Sequence, residues 1–344
     1  MTGWANVDLS LTDEQRSLVE AFAALYAREA TPERVRAAEP SGFDPRLWRV
    51  LGETGAVEMA VSESAGGWGA SVLELALTAE QFGRAVASAP VIEAQVAASA
   101  LAAAGAGGQT WLRDALSGDR LVTFAPRSSR GPHLELVPAG AIADAVVALV
   151  DDRLLLAPIG ERRPVQNLAA MPLADVTVDD DALVLCEGPR AHEHFAGALD
   201  LWLTLTAAAL TGIAARAVEM GAEYAKQRHA FGAPIGSFQA VAHPLADCAT
   251  ATDGARLLAY RAACAFIDEP DRRTELAAMA FAFASEAARD ATHRSLHVHG
   301  GYGFGMEADI QLHYRRARGW ALVYGEPSVA LDRVADARYG ALAG

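Results

Sequence analysis

The spacing of apolar residues changes twice along the chain. From residue 11, Leu18, Phe22 and Leu25 recur at helical intervals behind Thr12 and Gln15, whose separation is that of a capping box. "DPRLWRVLGETGA" predicts a short helix with Gly55 near its end, and "SESAGGWGASVLELALTAEQFGRAVA" predicts a Gly-rich loop and then an amphipathic helix. The Ala-rich stretch 92–105 predicts a further helix. Near residue 119 the period shortens: "RLVTFAP", "HLELVPAG", "ADAVVALVDDRLLLAPIG" and "LADVTVDDDALVLCE" are apolar or alternating runs parted by Pro, Gly and Asp-Asp turns, and read as strands. From about 191 the helical period returns, predicting long helices at 197–227, 237–267, 271–297 and 326–342.

The predicted fold class is therefore α+β, mainly α. It has an N-terminal helical domain over 1–118, a small, shortened β domain over 119–190 and a C-terminal four-helix bundle over 191–344. The apolar run 201–215 is too short to span a bilayer and holds three threonines, so it predicts a buried helix and no membrane span. Its nearly uncharged face suggests that the long C-terminal helices form a subunit interface. The opening residues lack the basic and apolar segments of a signal peptide.

A net charge of −14 argues against a nucleic-acid or anionic-membrane surface, though a local basic pocket for phosphate remains compatible. Cys186, Cys248 and Cys264 have no metal-like spacing and give no disulfide framework, which suits a reduced cytoplasmic setting.

Two corners between helices carry the candidate chemistry. In "RHAFGAPIGSFQAVAHPLADC" a Gly/Pro turn follows Arg228, and Ser237 is an expected N-cap before Gln239. A guanidinium beside a helix start suits an anion, because both donate to oxyanions, and Phe231 offers a ring for stacking. The other reading is an ordinary corner with solvated polar ends. In "HVHGGYGF" the Gly300–Gly301 pair lets a backbone approach a ligand closely or simply ends a helix. His297 and His299 lack a third ligand at suitable spacing, so no metal is expected. Arg315, Arg316 and Arg318 in "QLHYRRARGWALVYGEPS" predict a partly solvated helix face.

Together, "RHAFGAPIGSFQAVAHPLAD" and "HVHGGYGFGMEADIQLHYRRAR" resemble the paired C-terminal motifs of the acyl-CoA dehydrogenase family. "LTDEQRSLVEAFA" and "ETGAVEMAVSESAGGWGASVLELALTAEQFGRA" resemble its N-terminal helices, and the helix–β–helix order matches its three-part fold. The resemblance implies FAD lying across a subunit interface. Arg228 and Phe231 would meet its pyrophosphate and adenosine half, with Gln239, His297 and the Gly300–Gly301 backbone lining the same half. It also implies an acyl-CoA substrate, from which a glutamate takes the Cα proton.

The sequence departs from that pattern where the chemistry lies. The base usually belongs to a Tyr-Glu-Gly-Thr-like stretch; here "VYGEPS" places Gly325 in the glutamate's slot and Glu326 one residue late. In members that carry the base on the first long C-terminal helix, the matching position here is Trp202, with Asp200 two residues away. The Thr-Glu-Pro and Trp-Ile-Thr-like segments that face the flavin ring have no equivalent, and "VTFAPRSSRGPHLEL" stands where the first belongs.

This one-sided loss resembles the degenerate subunits of actinobacterial heteromeric acyl-CoA dehydrogenases, many of which act on steroid side-chain CoA thioesters. It implies a chain that lends FAD contacts to a full-length homologue in a hetero-oligomer, expected as a heterotetramer. Two other readings stand beside it: a homo-oligomeric acyl-thioester dehydrogenase with a displaced base, Glu326 or Asp200, and a flavin-free structural or binding homologue.

Overall fold

The computed structural model describes residues 8–340. The opening stretch read for a signal peptide lies partly outside the described residues, as does the end of the helix expected over 326–342. Thr12 forms the expected capping box: its hydroxyl accepts from the Gln15 N–H at 3.2 Å, and Gln15 Oε1 accepts from the Thr12 N–H at 3.1 Å. In chain order the first helices are α1 (Asp13–Glu29), α2 (Pro32–Ala38), α3 (Pro45–Glu53), α4 (Val72–Arg84), α5 (Val91–Ala104) and α6 (Gln109–Ser117). The strands are β1 (Val122–Phe124), β2 (His133–Val137), β3 (Ala145–Val150), β4 (Arg153–Pro158), β5 (Arg162–Pro164), β6 (Ala174–Thr177) and β7 (Leu183–Glu187). Then come α7 (Pro189–Gln227), the short pair β8 (His229–Ala230) and β9 (Ala233–Pro234), α8 (Gln239–Cys264), α9 (Arg273–Val298), α10 (Ile310–Ala321) and α11 (Pro327–Tyr339). Elements that were not anticipated include α2 and β5. Each is too short for a period to register, and β5, "RRP", has no apolar alternation.

The chain forms two compact units that interleave in sequence. One comprises Glu33–Leu75 and Ser88–Trp202. Its four-stranded sheet has the order β1-β3-β4-β7, with β1 parallel to β3 and the other neighbours antiparallel; β2-β6-β5 form a second, antiparallel sheet. β3, "AVVALV", is buried along its whole length, which explains why it lacks alternation. The Asp151–Asp152 turn joins β3 to β4, and Asp151 takes φ +52°. Val137, Val146, Ala157 and Val176 share one core, against which Phe43 and Trp48 pack. α5 is apolar all round and accordingly buried; its Gln95 side chain donates to Ala56 O at 2.7 Å.

The other unit comprises the chain up to Pro32, Ala76–Ala87 and everything from Leu203. Here the second half of α4 crosses α7 backbone against backbone. A β-carbon on Gly83 would stand 1.9 Å from Ala209 O, and one on Gly212 would stand 2.0 Å from Glu80 O. Only glycine permits that approach. Buried Glu80 accepts from Arg256 Nε at 3.0 Å and from Tyr260 Oη at 2.8 Å, tying α4 to α8. Burial, followed by the Glu80 carboxylate, raises the Tyr260 hydroxyl well above its ordinary range.

The run 201–215 is core of this chain: all fifteen of its residues are buried. Its apolar face is covered within the chain, so it does not support the subunit interface expected of the long C-terminal helices. α7 is long and apolar enough to cross a membrane, but 94% of that window is buried inside the protein. The expected partly solvated arginine face of α10 holds for half-buried Arg315 and Arg318 but not for Arg316. Arg316 is buried and donates to Ala87 O at 3.0 Å, so a guanidinium serves to satisfy a backbone carbonyl after α4.

Candidate flavin-binding site

The first corner is a β-hairpin. β8 and β9 pair His229 with Pro234 and Ala230 with Ala233, leaving Phe231 and Gly232 as a two-residue loop. Phe231 has φ +53° and Gly232 φ +83°. Positive φ at both central residues is the type I′ pattern, whose twist matches a two-residue hairpin. Glycine adopts it freely; phenylalanine is strained there. The strain presents the Phe231 ring at 99% exposure, edge-on to Phe238 with centroids 6.2 Å apart. An almost wholly solvated aromatic at a strained hairpin tip has little folding rationale and a clear binding one.

Ser237 does not cap α8. It lies in a 3-10 turn, and its hydroxyl donates to Pro234 O at 2.7 Å. Phe238 occupies the cap position, with no side-chain hydrogen bond closing the helix start. The N-cap expectation is thus overturned, because the turn before α8 is tight enough to engage Ser237 locally. The first-turn amides of α8 are left without a side-chain cap, beside exposed Gln239. Arg228 is also exposed, and its guanidinium has no protein partner among the described residues.

The second corner lies against the first. Tyr224, one turn before Arg228, stacks on His299, which directly precedes Gly300, with ring centroids 4.4 Å apart. His299 Nδ1 lies 2.7 Å from Ser295 O. One turn further back, a β-carbon on Gly221 would stand 2.7 Å from Ser295 Oγ. α7 and α9 thus pack closely near their C-terminal ends and bring both corners to the same end of this unit. A 3-10 turn over Gly300–Phe304 follows α9; Gly300 has φ +59°, and open space surrounds the β-carbon positions of Gly300 and Gly301. His297 is exposed on the last turn of α9. Phe238, Tyr302 and Phe304 are further exposed aromatics in these corners. The sequence signal for them was an aromatic beside each glycine turn, in "GSF" and "GGYGF".

Glu326 belongs to another junction, between α10 and α11. It is exposed, with backbone φ −63°, ψ 151°, and stands at the N-cap position of α11 without a side-chain cap bond. Gly325 has φ +130°, a conformation that L side chains rarely adopt. Tyr324 packs edge-on to Phe281, with centroids 5.9 Å apart. In the β-containing unit, Trp202 has no exposed surface, and its indole Nε1 donates to buried Glu93 at 3.4 Å. Asp200 is likewise fully buried. The loop before β2 is held internally: Ser129 Oγ donates to His133 O at 2.6 Å, and the Gly131 N–H donates to Asp151 at 3.2 Å.

Residues 12–119 match the acyl-CoA dehydrogenase N-terminal domain, and residues 197–338 match the acyl-CoA dehydrogenase C-terminal domain. Acyl-CoA dehydrogenase IpdE2 of Mycolicibacterium smegmatis is 32% identical over 336 residues, covering 94% of this chain and 98% of that one. Among solved structures, the ChsE4–ChsE5 complex from Mycobacterium tuberculosis superposes with a TM-score of 0.87 at 27% identity, covering 95% of this chain and 98% of that one. The Tcur3481–Tcur3483 steroid ACAD G363A variant gives a TM-score of 0.85 at 28% identity, covering 94% and 97%. The fold is that of a flavin-dependent dehydrogenase. This chain belongs to the acyl-CoA dehydrogenase family of FAD-dependent oxidoreductases.

The paired corners fit the dinucleotide end of FAD. An unpartnered guanidinium and uncapped helix amides suit a pyrophosphate, a bare Gly-Gly backbone permits close approach, and exposed aromatics suit a flat base.

Proposed function

We propose that this chain is a subunit of a heteromeric acyl-CoA dehydrogenase that holds the dinucleotide half of FAD and leaves proton abstraction to a homologous partner. The observation that carries the proposal is the backbone of Gly325. The slot where the resemblance expects a glutamate lies at φ +130°, and Glu326 beside it is drawn into the start of α11. Proton abstraction needs the base within about 3 Å of its target. A side chain one residue displaced at a loop-to-helix junction points elsewhere. The second possible base position offers no carboxylate either, since Trp202 occupies it with its indole committed to Glu93.

In this reading Arg228 and the α8 amides neutralise and orient the pyrophosphate. Phe231, on its strained hairpin, reaches out to the adenosine half. Gln239, His297 and the Gly300–Gly301 backbone complete that wall. Bound FAD supplies the two-electron acceptor for α,β-dehydrogenation of an acyl-CoA thioester, and the partner supplies the carboxylate that takes the Cα proton. The outward reach of Phe231 suits a cofactor shared between subunits, and the assembly we propose is a heterotetramer. The names of the solved relatives, a steroid ACAD and a two-chain complex, support a steroid-derived acyl-CoA as substrate. The three free cysteines suit a reduced cytoplasmic setting.

The test is co-expression of this chain with a full-length acyl-CoA dehydrogenase homologue carrying the base. The expected product is a mixed oligomer with a flavin spectrum and dehydrogenase activity, while the chain alone lacks activity. A flavin-loaded, active homo-oligomer of this chain alone would overturn the proposal.

A further inference from the structure

We propose that Tyr224 and His299 are a positioning pair: their stacked rings set the spacing between Arg228 and the Gly300–Gly301 backbone, so that one dinucleotide spans both corners. This role rests on the proposed flavin site and gives a task to two side chains that the site itself leaves idle.

The pair joins the corners by a short route. The two rings face each other with centroids 4.4 Å apart and planes inclined by 30°. A carbonyl only accepts, so the 2.7 Å contact between His299 Nδ1 and Ser295 O puts the ring proton on Nδ1 and fixes how the ring is turned. On the α9 side, a β-carbon on Gly303 would stand 2.9 Å from His299 Cβ and 2.7 Å from Leu296 O, so the glycine turn folds back onto the turn that carries His299. On the α7 side, the Arg228 N–H donates to Tyr224 O at 2.9 Å, and the Ile235 N–H donates to Arg228 O at 2.7 Å. The hairpin is thereby closed onto the turn that carries Tyr224. Each corner is tied to its own ring, and the rings are stacked.

The stack stands outside the apolar cluster that joins α7, α9 and the start of α10, which is formed by Ala217, Leu296, Ala308 and Ile310. Tyr224 lies two turns nearer the hairpin than Ala217, and His299 one turn nearer the glycine turn than Leu296. Tyr224 is only half-buried. The cluster holds the helices together; the stack adds the relative placement of their ends. A ligand gripped at two points gains from a separation fixed in advance, and a misplacement of about 1 Å forfeits much of that gain.

The experiment is titration of the assembled protein with FAD, followed by flavin fluorescence, with the thermal midpoint of each protein measured without flavin. The proteins are the parent, Tyr224→Phe, Tyr224→Leu, Arg228→Ala and the double variant Tyr224→Leu/Arg228→Ala. Tyr224→Phe keeps the stacked ring and should hold FAD within about twofold of the parent. Tyr224→Leu loses the ring and should weaken FAD by about four- to tenfold. In the Arg228→Ala background the same change should cost less than about twofold, because the stack acts through the placement of Arg228. Equal losses in the two backgrounds with a lowered flavin-free midpoint mean a general loosening of the fold and overturn the proposal. So does a loss in Tyr224→Phe as large as in Tyr224→Leu, which would assign the effect to the hydroxyl. Unchanged affinity in Tyr224→Leu, with binding weakened in Arg228→Ala, overturns the positioning pair and leaves the flavin site standing. Unchanged affinity in Arg228→Ala removes the flavin site and the pair with it. If Tyr224→Leu fails to assemble, His299→Leu, which removes the same stack from the α9 side, carries the same expectations.

Discussion

A β-carbon added to Gly325 would stand 3.1 Å from Val329 Cγ2, on a backbone already at φ +130°. The slot is thus closed to an L residue in two ways, by its dihedral and by the first turn of α11 folding over it. We expect Gly325→Ala to destabilise the protein by about 1–3 kcal/mol, the usual cost of such backbone strain. Urea denaturation of the assembled protein checks this; an unchanged or higher midpoint would show that the junction relaxes freely and that the slot is open after all.

The flavin contact proposed for Arg228 can be tested more directly. Replacing Arg228 with alanine removes one charge-assisted contact, on the order of 1.5–3 kcal/mol. FAD dissociation should therefore be tighter in the parent than in Arg228→Ala by about 10- to 150-fold. Because Arg228 is exposed and has no protein partner among the described residues, the thermal midpoint measured without flavin should not move. Equal flavin affinity in the two assembled proteins would remove Arg228 from the site.

His313 sets a pH dependence. Its ring is buried, with Nδ1 3.2 Å from Asp309 O and Nε2 3.1 Å from Arg84 O. Burial lowers its pKa from the ordinary 6.5, against the opposing pull of the two carbonyls. The unfolded chain then takes up a proton that the folded chain resists, so this contribution to stability is full above pH 6.5 and declines as pH falls towards the lower folded value. His313→Gln should lose less stability than the parent between about pH 7.5 and 5.5, measured by urea midpoints. Equal losses would mean that the imidazole protonates as readily in the folded state.

Much of the fold was legible because long helices and apolar strands impose their periods on the sequence. The capping box of Thr12 and Gln15, the strands around the Asp-Asp turn and both glycine corners follow from local chemistry alone. Two failures depended on contacts distant in sequence, and the one at Ser237 on a local turn. Ser237 looks like an N-cap until the 3-10 turn engages it with Pro234. Arg316 looks solvated until Ala87 O is found beside it. The 201–215 face looks vacant until the rest of the chain covers it. In the site, Arg228 and Phe231 stood out as residue types near a turn, but the type I′ strain that pushes Phe231 into solvent is a backbone property. Phe238, Tyr302 and Phe304 lie beside the glycine turns in the sequence, but their exposure is what distinguishes them from ordinary corner aromatics.

The central claim is that no residue of this chain takes the substrate proton. Glu326 is the carboxylate that challenges it, being exposed and one residue from the expected slot. Loss of a general base usually costs about 10²–10⁴-fold in rate. The deciding measurement is rapid-mixing absorbance of flavin bleaching by an acyl-CoA, comparing the assembled parent with assembled Glu326→Gln at matched FAD content. Bleaching rates within about twofold of each other, far inside the span of a lost base, are the predicted result. Abolished bleaching with FAD still bound would contradict the account and make Glu326 the base of an enzyme active in its own right.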